Sequence, residues 1–271
     1  MGSQYALIVG VDESHADRHL QPLQFACADA RATHLVFSDV LDYGAKAVLL
    51  EKPDMTVVRR ALRDIGQAVR AGDTFVFYFA GHGAAHGADQ LLLLGEVDLQ
   101  ALERGEVAGN DVLSLDNLMG TVGHWPAVQA AFILDACRKP LRKGGRTASY
   151  SAEVEQVLQG VAARNAGLRR QHHSSREDAD AQASFLVMNA CGDKQQAFEL
   201  ESLRRGLFSH VFCEWLKDGA RSGQPLVLGS RTGAELAQRL KRTAEILPVW
   251  EKEKPVERVA DFKTLIVYRK K

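Results

Sequence analysis

The sequence predicts an α/β fold in which a mainly parallel six-stranded sheet carries helices on both faces. Three observations lead there. Short, nearly continuous apolar runs recur along the chain: YALIVGV (5–11), AKAVLL (45–50), TFVFYFA (74–80), AAFILDA (130–136), SFLVMNA (184–190) and TLIVY (264–268). Unbroken Val/Ile/Leu/Phe runs suit strands covered on both faces, because a strand with one wet face alternates instead. Segments of helical apolar spacing lie between the runs, and strands alternating with helices build parallel sheets.

The elements follow in order. After the first run, Phe25, Ala26, Ala30, Thr33, Phe37 and Leu41 form one helical face. After the second, Met55, Val58, Leu62, Ile65 and Val69 form another. Later helix candidates are 152–163, 206–218 and 231–244, and no internal repeat is present. The stretch from Arg138 to Arg176 holds nine basic residues against two acidic ones, Glu153 and Glu155. Within it, RNAGLRRQHHSSREDAD (164–180) is polar and aperiodic, and reads as an exposed, mobile loop between the first four strands and the last two.

Bulk properties narrow the function. A chain of 271 residues buries a full core. Hydrophobic residues make up 46% and charged residues 25%, the profile of a globular protein. Lys+Arg and Asp+Glu both number 34, so no charge excess points to nucleic acid or to a membrane surface. No stretch approaches the ~18 apolar residues of a membrane span. The N-terminal apolar run lacks the basic flank of a signal peptide. Ala6 stands where a myristoylation motif has Ser or Thr. A cytoplasmic location is expected. The four cysteines, Cys27, Cys137, Cys191 and Cys213, are too widely spaced for a zinc cluster.

Two strand ends carry chemistry. TFVFYFA runs into Gly81-His82-Gly83, and AAFILDA ends at Asp135-Ala136-Cys137. In an open parallel sheet, ligands bind beyond the carboxyl ends of the strands. If these two strands are neighbours, His82 and Cys137 emerge side by side. A cysteine nucleophile needs a base to form its thiolate, and histidine is the usual one. The backbone N–H groups of Gly83 and Cys137 are then candidates for an oxyanion hole. Taken singly, a cysteine after an apolar strand is a small packing residue, and a histidine in a Gly-rich turn is a turn residue. The pair gives each residue a reason. Cys27, Cys191 and Cys213 sit in apolar patterns and read as packing residues. His86, His172 and His173 lie in polar segments.

These blocks resemble the caspase-like clan of cysteine peptidases: caspases, metacaspases, paracaspases and their bacterial relatives. The caspase pattern places a histidine about 50 residues before the cysteine; here the interval is 55, from His82 to Cys137. YFAGHGAAHGADQLLLLGEVD is similar to the histidine block, with a Leu-rich hairpin arm ending at Asp98. DVLSLDNLMGTV resembles the short helix before the cysteine strand, and FILDAC the cysteine block. ALIVGVD with LQFACADA resembles the first strand and its Asp-Ala helix. SFLVMNACGDKQQAFE and GLFSHVFCEWL resemble the small-subunit strand and helix, and DFKTLIVYRKK the closing antiparallel strand. Ala80 replaces a frequent Ser, and Arg138-Lys139-Pro140 replaces the His-Ser-Gly common in metacaspases.

The resemblance implies a cysteine endopeptidase acting on protein substrates through a His82–Cys137 dyad. Asp135, two residues before the cysteine where caspases have Gln, implies a preference for Arg or Lys at P1, as in metacaspases. Asp29 matches the second acidic residue of that S1 pocket; the alternative is an exposed helix charge. The clan implies one peptidase domain over 1–271, with a large-subunit-like part (1–163), a basic linker (164–183) and a small-subunit-like part (184–271). Arg164, Arg169, Arg170 and Arg176 are candidate processing sites for a zymogen cut by itself or by an upstream activating protease. No cofactor is implied, with calcium dependence left open because the acidic cluster of some metacaspases is not identifiable. Some bacterial relatives act in stress or anti-phage responses. Because the fold also serves as a scaffold, a catalytically inactive interaction module is the alternative function.

Overall fold

The computed structural model describes residues 2–14, 22–86, 89–98, 111–126, 128–136, 139–140, 184–190, 199–223, 225–229, 232–246, 256–260 and 265–268. Five of the six apolar runs form the parallel strands of the main sheet. They are β1 (Gln4–Gly10), β2 (Ala47–Glu51), β3 (Thr74–Gly81), β7 (Gln129–Ala136) and β9 (Ser184–Asn189). A sixth strand, β13 (Val256–Ala260), closes the edge antiparallel to β9. The order across the sheet is β13-β9-β7-β3-β1-β2.

Helices cover both faces because each inner strand offers apolar side chains to both. On one face, Ala6, Ile8, Val76, Tyr78, Ala131 and Ile133 pack under three helices. These are α1 (Ala26–Leu35), α4 (Leu207–Ser222) and α5 (Thr232–Ile246). On the other, Leu7, Val9, Phe75, Phe77, Phe132 and Leu134 pack under α2 (Met55–Ala68) and α3 (Leu115–Gly123). The result is the expected three-layer α/β sandwich. Asp54 caps α2 by accepting from the Val57 N–H at 2.7 Å, and Ser114 caps α3 from Asn117 at 3.2 Å. A stacked row of Phe208, Phe212 and Trp215 lays α4 on the sheet, where Phe212 also stacks on Tyr78.

Smaller pieces complete the frame. Strand β4 (Gly83–His86) turns back into β5 (Asp89–Leu93), the expected Leu-rich hairpin. Next to it lie β6 (Val112–Ser114) and β8 (Lys139–Pro140). Strands β10 (Glu199–Leu200) and β11 (Arg205–Gly206) form a short hairpin before α4.

Two expectations are corrected. The closing antiparallel strand is 256–260, not TLIVY. Leu265–Tyr268 forms β14 and pairs with β12 (Leu226–Leu228) in a separate two-stranded sheet. An edge strand bonds along one side only and tolerates charges, so VERVA escapes a search for apolar runs. The first helix also stops short of the predicted face: α1 ends at Leu35 and passes into one wide turn, Val36–Val40, closed by Leu41 N–H to Val36 O at 2.9 Å. The predicted helix 152–163 and the linker 164–183 lie outside the described residues. Among the described residues no helix is long and apolar enough to cross a membrane.

Candidate active site

Strands β3 and β7 are neighbours, and their register runs from Thr74 with Gln129 to Gly81 with Ala136. His82 and Cys137 are therefore the next residues in sequence after the last matched pair. His82 is half-buried, and its carbonyl accepts the Leu93 N–H at 3.0 Å, which ties the strand exit to the hairpin arm. Gly83 is buried and opens β4 opposite Leu92. Cys137, one residue beyond Ala136, lies outside the described residues, as do Arg164, Arg169, Arg170 and Arg176.

The predicted S1 carboxylates come together on the α1/α4 face at the same end of the sheet. Asp29 depends on how α1 begins. Its N-cap, Phe25, has no side-chain acceptor, so other segments satisfy the first N–H groups. Glu199 of β10 accepts from Gln24 and Phe25, the latter at 2.8 Å, and Asp12, just past β1, accepts from Cys27 at 2.7 Å. Carboxylates at a helix N-terminus also meet the favourable end of its dipole. One turn further in, Asp29 is 2% exposed. Its Oδ1 accepts Arg205 Nε at 2.6 Å and its Oδ2 accepts the Gly206 N–H at 2.8 Å. The alternative reading of Asp29 as an exposed helix charge does not hold.

Asp135, 7% exposed, is the penultimate residue of β7 and shares the face of Ile133. Ser209, in the first turn of α4, donates its hydroxyl to Asp135 Oδ2, and Tyr78 of β3 is hydrogen-bonded to the same hydroxyl. With Asp135 ionised, Ser209 must give its proton to the carboxylate, so Tyr78 donates to Ser209. The row runs Tyr78 to Ser209 to Asp135, each hydroxyl donating to the next acceptor.

Gly206 stands between the carboxylates. A Cβ there would lie 2.8 Å from Asp29 Oδ2 and 2.9 Å from Asp135 Oδ2. Both carboxylate oxygens thus press close to Gly206 and leave no room for a side chain at that position. Burial raises the proton affinity of both groups. For Asp29 the nearby Asp135 charge raises it further, and Arg205 and Gly206 oppose the rise. For Asp135 the Ser209 hydrogen bonds are the main opposition. A carboxylate oxygen accepts more than one hydrogen bond, so both retain capacity for a further donor. Two buried carboxylates brought together against one glycine suit a guanidinium or an ammonium.

The described cysteines behave as packing groups. Cys27 and Cys213 are buried and free. Burial and the neighbouring Asp12 push the Cys27 thiol up to about 12, far from a thiolate at neutral pH. Burial likewise raises Cys213. Among the described residues no group of three or more His, Cys, Asp or Glu side chains is placed to hold a metal ion.

Sequence reasoning missed Tyr78, Glu199, Arg205, Gly206 and Ser209. The available signals were faint. Ser209 is a hydroxyl on the apolar face shared by Phe208 and Phe212, and Tyr78 is the one polar-tipped residue inside an otherwise apolar strand. Gly206 directly precedes an amphipathic helix.

Among known structures, the chain is similar to protein GSU0716 from Geobacter sulfurreducens, known from its crystal structure. The TM-score is 0.61 with 18% sequence identity, covering 95% of this chain and 93% of that one. At that identity the likeness establishes the fold. No curated protein matches the chain. Residues 3–258 match the family described as the caspase domain, a span that includes both strand exits and the two buried carboxylates. The chain belongs to the caspase-domain family of cysteine peptidases.

Proposed function

We propose that this chain is a cysteine endopeptidase that cleaves proteins after Arg or Lys through a His82–Cys137 dyad. The observation that carries the reading is that Asp29 and Asp135, far apart in sequence, are both buried against Gly206 at one end of the sheet. That arrangement gives a use to two carboxylates buried at the end of a largely apolar sheet. A single carboxylate facing a substrate cation is worth on the order of 1–3 kcal/mol in discrimination, and two acting together give a strong P1 preference.

The steps follow from residue chemistry. His82 removes the proton of the Cys137 thiol, and the thiolate attacks the carbonyl carbon of the scissile peptide bond. The oxyanion of the tetrahedral intermediate accepts from the backbone N–H groups of Gly83 and Cys137. His82 returns the proton to the leaving amine, a thioester remains on Cys137, and water hydrolyses it. Asp29 and Asp135 hold the P1 cation throughout. The residues Arg164, Arg169, Arg170 and Arg176 are of the type this pocket selects. Cleavage within 164–176, by the chain itself or by an upstream protease, would then activate a zymogen. The main sheet draws strands from both sides of that cut, so the fragments stay associated.

Digestion of a P1-diverse peptide library by the wild type and by Cys137→Ala tests the reading. Cleavage after Arg and Lys that disappears in Cys137→Ala is the expected result. Preference for P1 Asp contradicts the pocket assignment, and cleavage surviving in Cys137→Ala contradicts the nucleophile. Intact-mass analysis during incubation, compared with a variant carrying Gln at the four arginines, tests activation. An uncuttable variant with full activity removes the zymogen step and leaves the peptidase standing.

A further inference from the structure

Arg205 has a place in the pocket that neither the fold nor the dyad requires. It opens β11, one side of a hairpin whose turn is closed by Leu203 N–H to Leu200 O at 3.0 Å and Arg204 N–H to Glu201 O at 3.1 Å. Its side chain is 16% exposed and lies between α1 and α4. Nε meets Asp29 Oδ1 at 2.6 Å, and Nη2 reaches Cys213 Sγ at 3.4 Å. Cys213 is one turn beyond Ser209 on α4 and lies 3.5 Å from Thr33 Oγ1 of α1. The guanidinium therefore stands behind Asp29, on its Oδ1 side. Gly206 meets the other oxygen, Oδ2, so Arg205 and Gly206 hold Asp29 from different oxygens.

Charge counting gives this placement a consequence. The buried pocket holds two carboxylates and one resident guanidinium. Buried charges are tolerable when paired. With Arg205 present and both carboxylates ionised, one negative charge remains, which one substrate cation balances. Without Arg205 the pair carries two negative charges in a desolvated space, and a proton on Asp29 relieves that more cheaply than any rearrangement. A protonated Asp29 offers an entering cation no charge.

We propose that Arg205 is a positioning residue of the P1 pocket, the resident counter-ion that opposes protonation of buried Asp29 so that the pocket receives one cationic side chain. The inference rests on the basic-P1 reading above. The charged and titratable groups around Asp29, Asp135 and Arg205 come from every packed element. Asp135 comes from β7, Tyr78 from β3, Glu199 from β10 and Arg205 from β11, while Cys213 and the half-buried His210 come from α4. Of these, Arg205 is the cation bonded directly to Asp29.

The test compares wild type, Arg205→Gln and Arg205→Lys on a fluorogenic peptide with P1 Arg, and with agmatine as a small guanidinium ligand, between pH 6 and 9. Taking each variant's kcat/KM as a ratio to wild type cancels the titration of the dyad. For Arg205→Gln the ratio is expected to fall about tenfold at pH 7, the effect of one unit of raised proton affinity, and to recover toward one by pH 9 as Asp29 ionises. The loss is expected in KM rather than kcat, with agmatine affinity following the same curve. Arg205→Lys restores the charge and is expected to stay within about threefold of wild type at every pH. A ratio for Arg205→Gln that is unchanged, or lowered equally at every pH, overturns the proposal, the second outcome marking a structural role alone. If Arg205→Gln does not fold, Arg205→Lys decides: a wild-type pH profile supports the counter-ion role, and a lost cation preference in a folded protein refutes it. A wild type with no preference for P1 Arg removes the basic-P1 reading itself, and this inference falls with it.

Discussion

Replacing Gly206 with alanine probes the shared point between the two carboxylates. Gly206 has φ −62° and ψ 138°, ordinary backbone for alanine. The backbone itself therefore favours the change by about 0.4–1 kcal/mol, because the unfolded chain loses freedom. The side chain does the opposite. The new methyl would stand 2.8 Å from Asp29 Oδ2 and 2.9 Å from Asp135 Oδ2. Both are roughly half an ångström inside ordinary contact. Asp29 retreats only by lengthening its bonds to Arg205 at 2.6 Å and to the Gly206 N–H at 2.8 Å. Asp135 retreats only by disturbing Ser209. Loss of one charge-assisted hydrogen bond costs about 1.5–3 kcal/mol. Gly206→Ala is therefore expected to lower kcat/KM on a P1-Arg peptide by about 10–100-fold, while Tm drops by no more than a few degrees. Agmatine binding by calorimetry and thermal unfolding measured together separate the two effects. A variant that binds agmatine with wild-type affinity would refute the claim that both carboxylates act on the ligand.

Other consequences follow from the same pocket. Burial raises the proton affinity of Asp135 above that of the unfolded chain. Its contribution to stability is thus complete below the unfolded carboxylate range and is lost as pH rises through its own titration. Asp135→Asn is accordingly expected to raise Tm more at pH 8 than at pH 5, and a scan of Tm against pH checks the sign. Because a cation favours the ionised pair, its binding releases protons and weakens on acidification; calorimetry in buffers of different ionisation enthalpy should show that release. Tyr78→Phe removes the first donor of the hydroxyl row and is expected to cost about 1 kcal/mol in urea unfolding while leaving P1 preference for Arg intact.

The parts of this architecture legible in the sequence are those that repeat. Five parallel strands stand out because each is buried on both faces, which leaves an unbroken apolar run. The exits at His82 and Cys137 stand out because glycine, histidine and cysteine end those runs abruptly. Asp29 was reachable by resemblance alone, since one carboxylate in the first turn of a helix reads equally well as a solvated charge. Arg205, Gly206 and Ser209 were not legible for a different reason. Their roles depend on contacts with residues more than 70 positions away, in strands of two residues or on one turn of helix. No periodicity marks such contacts. The closing strand is hidden in the sequence because an edge strand need not be apolar, whereas TLIVY, which is apolar, pairs with Leu226–Leu228 instead.

Covalent labelling with peptidyl acyloxymethyl ketones, one carrying Arg and one carrying Asp at P1, tests the central claim most directly. Peptide mapping then locates the adduct. The account predicts that the arginyl probe labels Cys137 once per chain, that labelling vanishes in Cys137→Ala and His82→Ala, and that Asp29→Asn or Asp135→Asn slows it at least tenfold. It predicts no comparable labelling by the aspartyl probe. Faster labelling by the aspartyl probe, or an adduct on Cys27, Cys191 or Cys213 in place of Cys137, would contradict it.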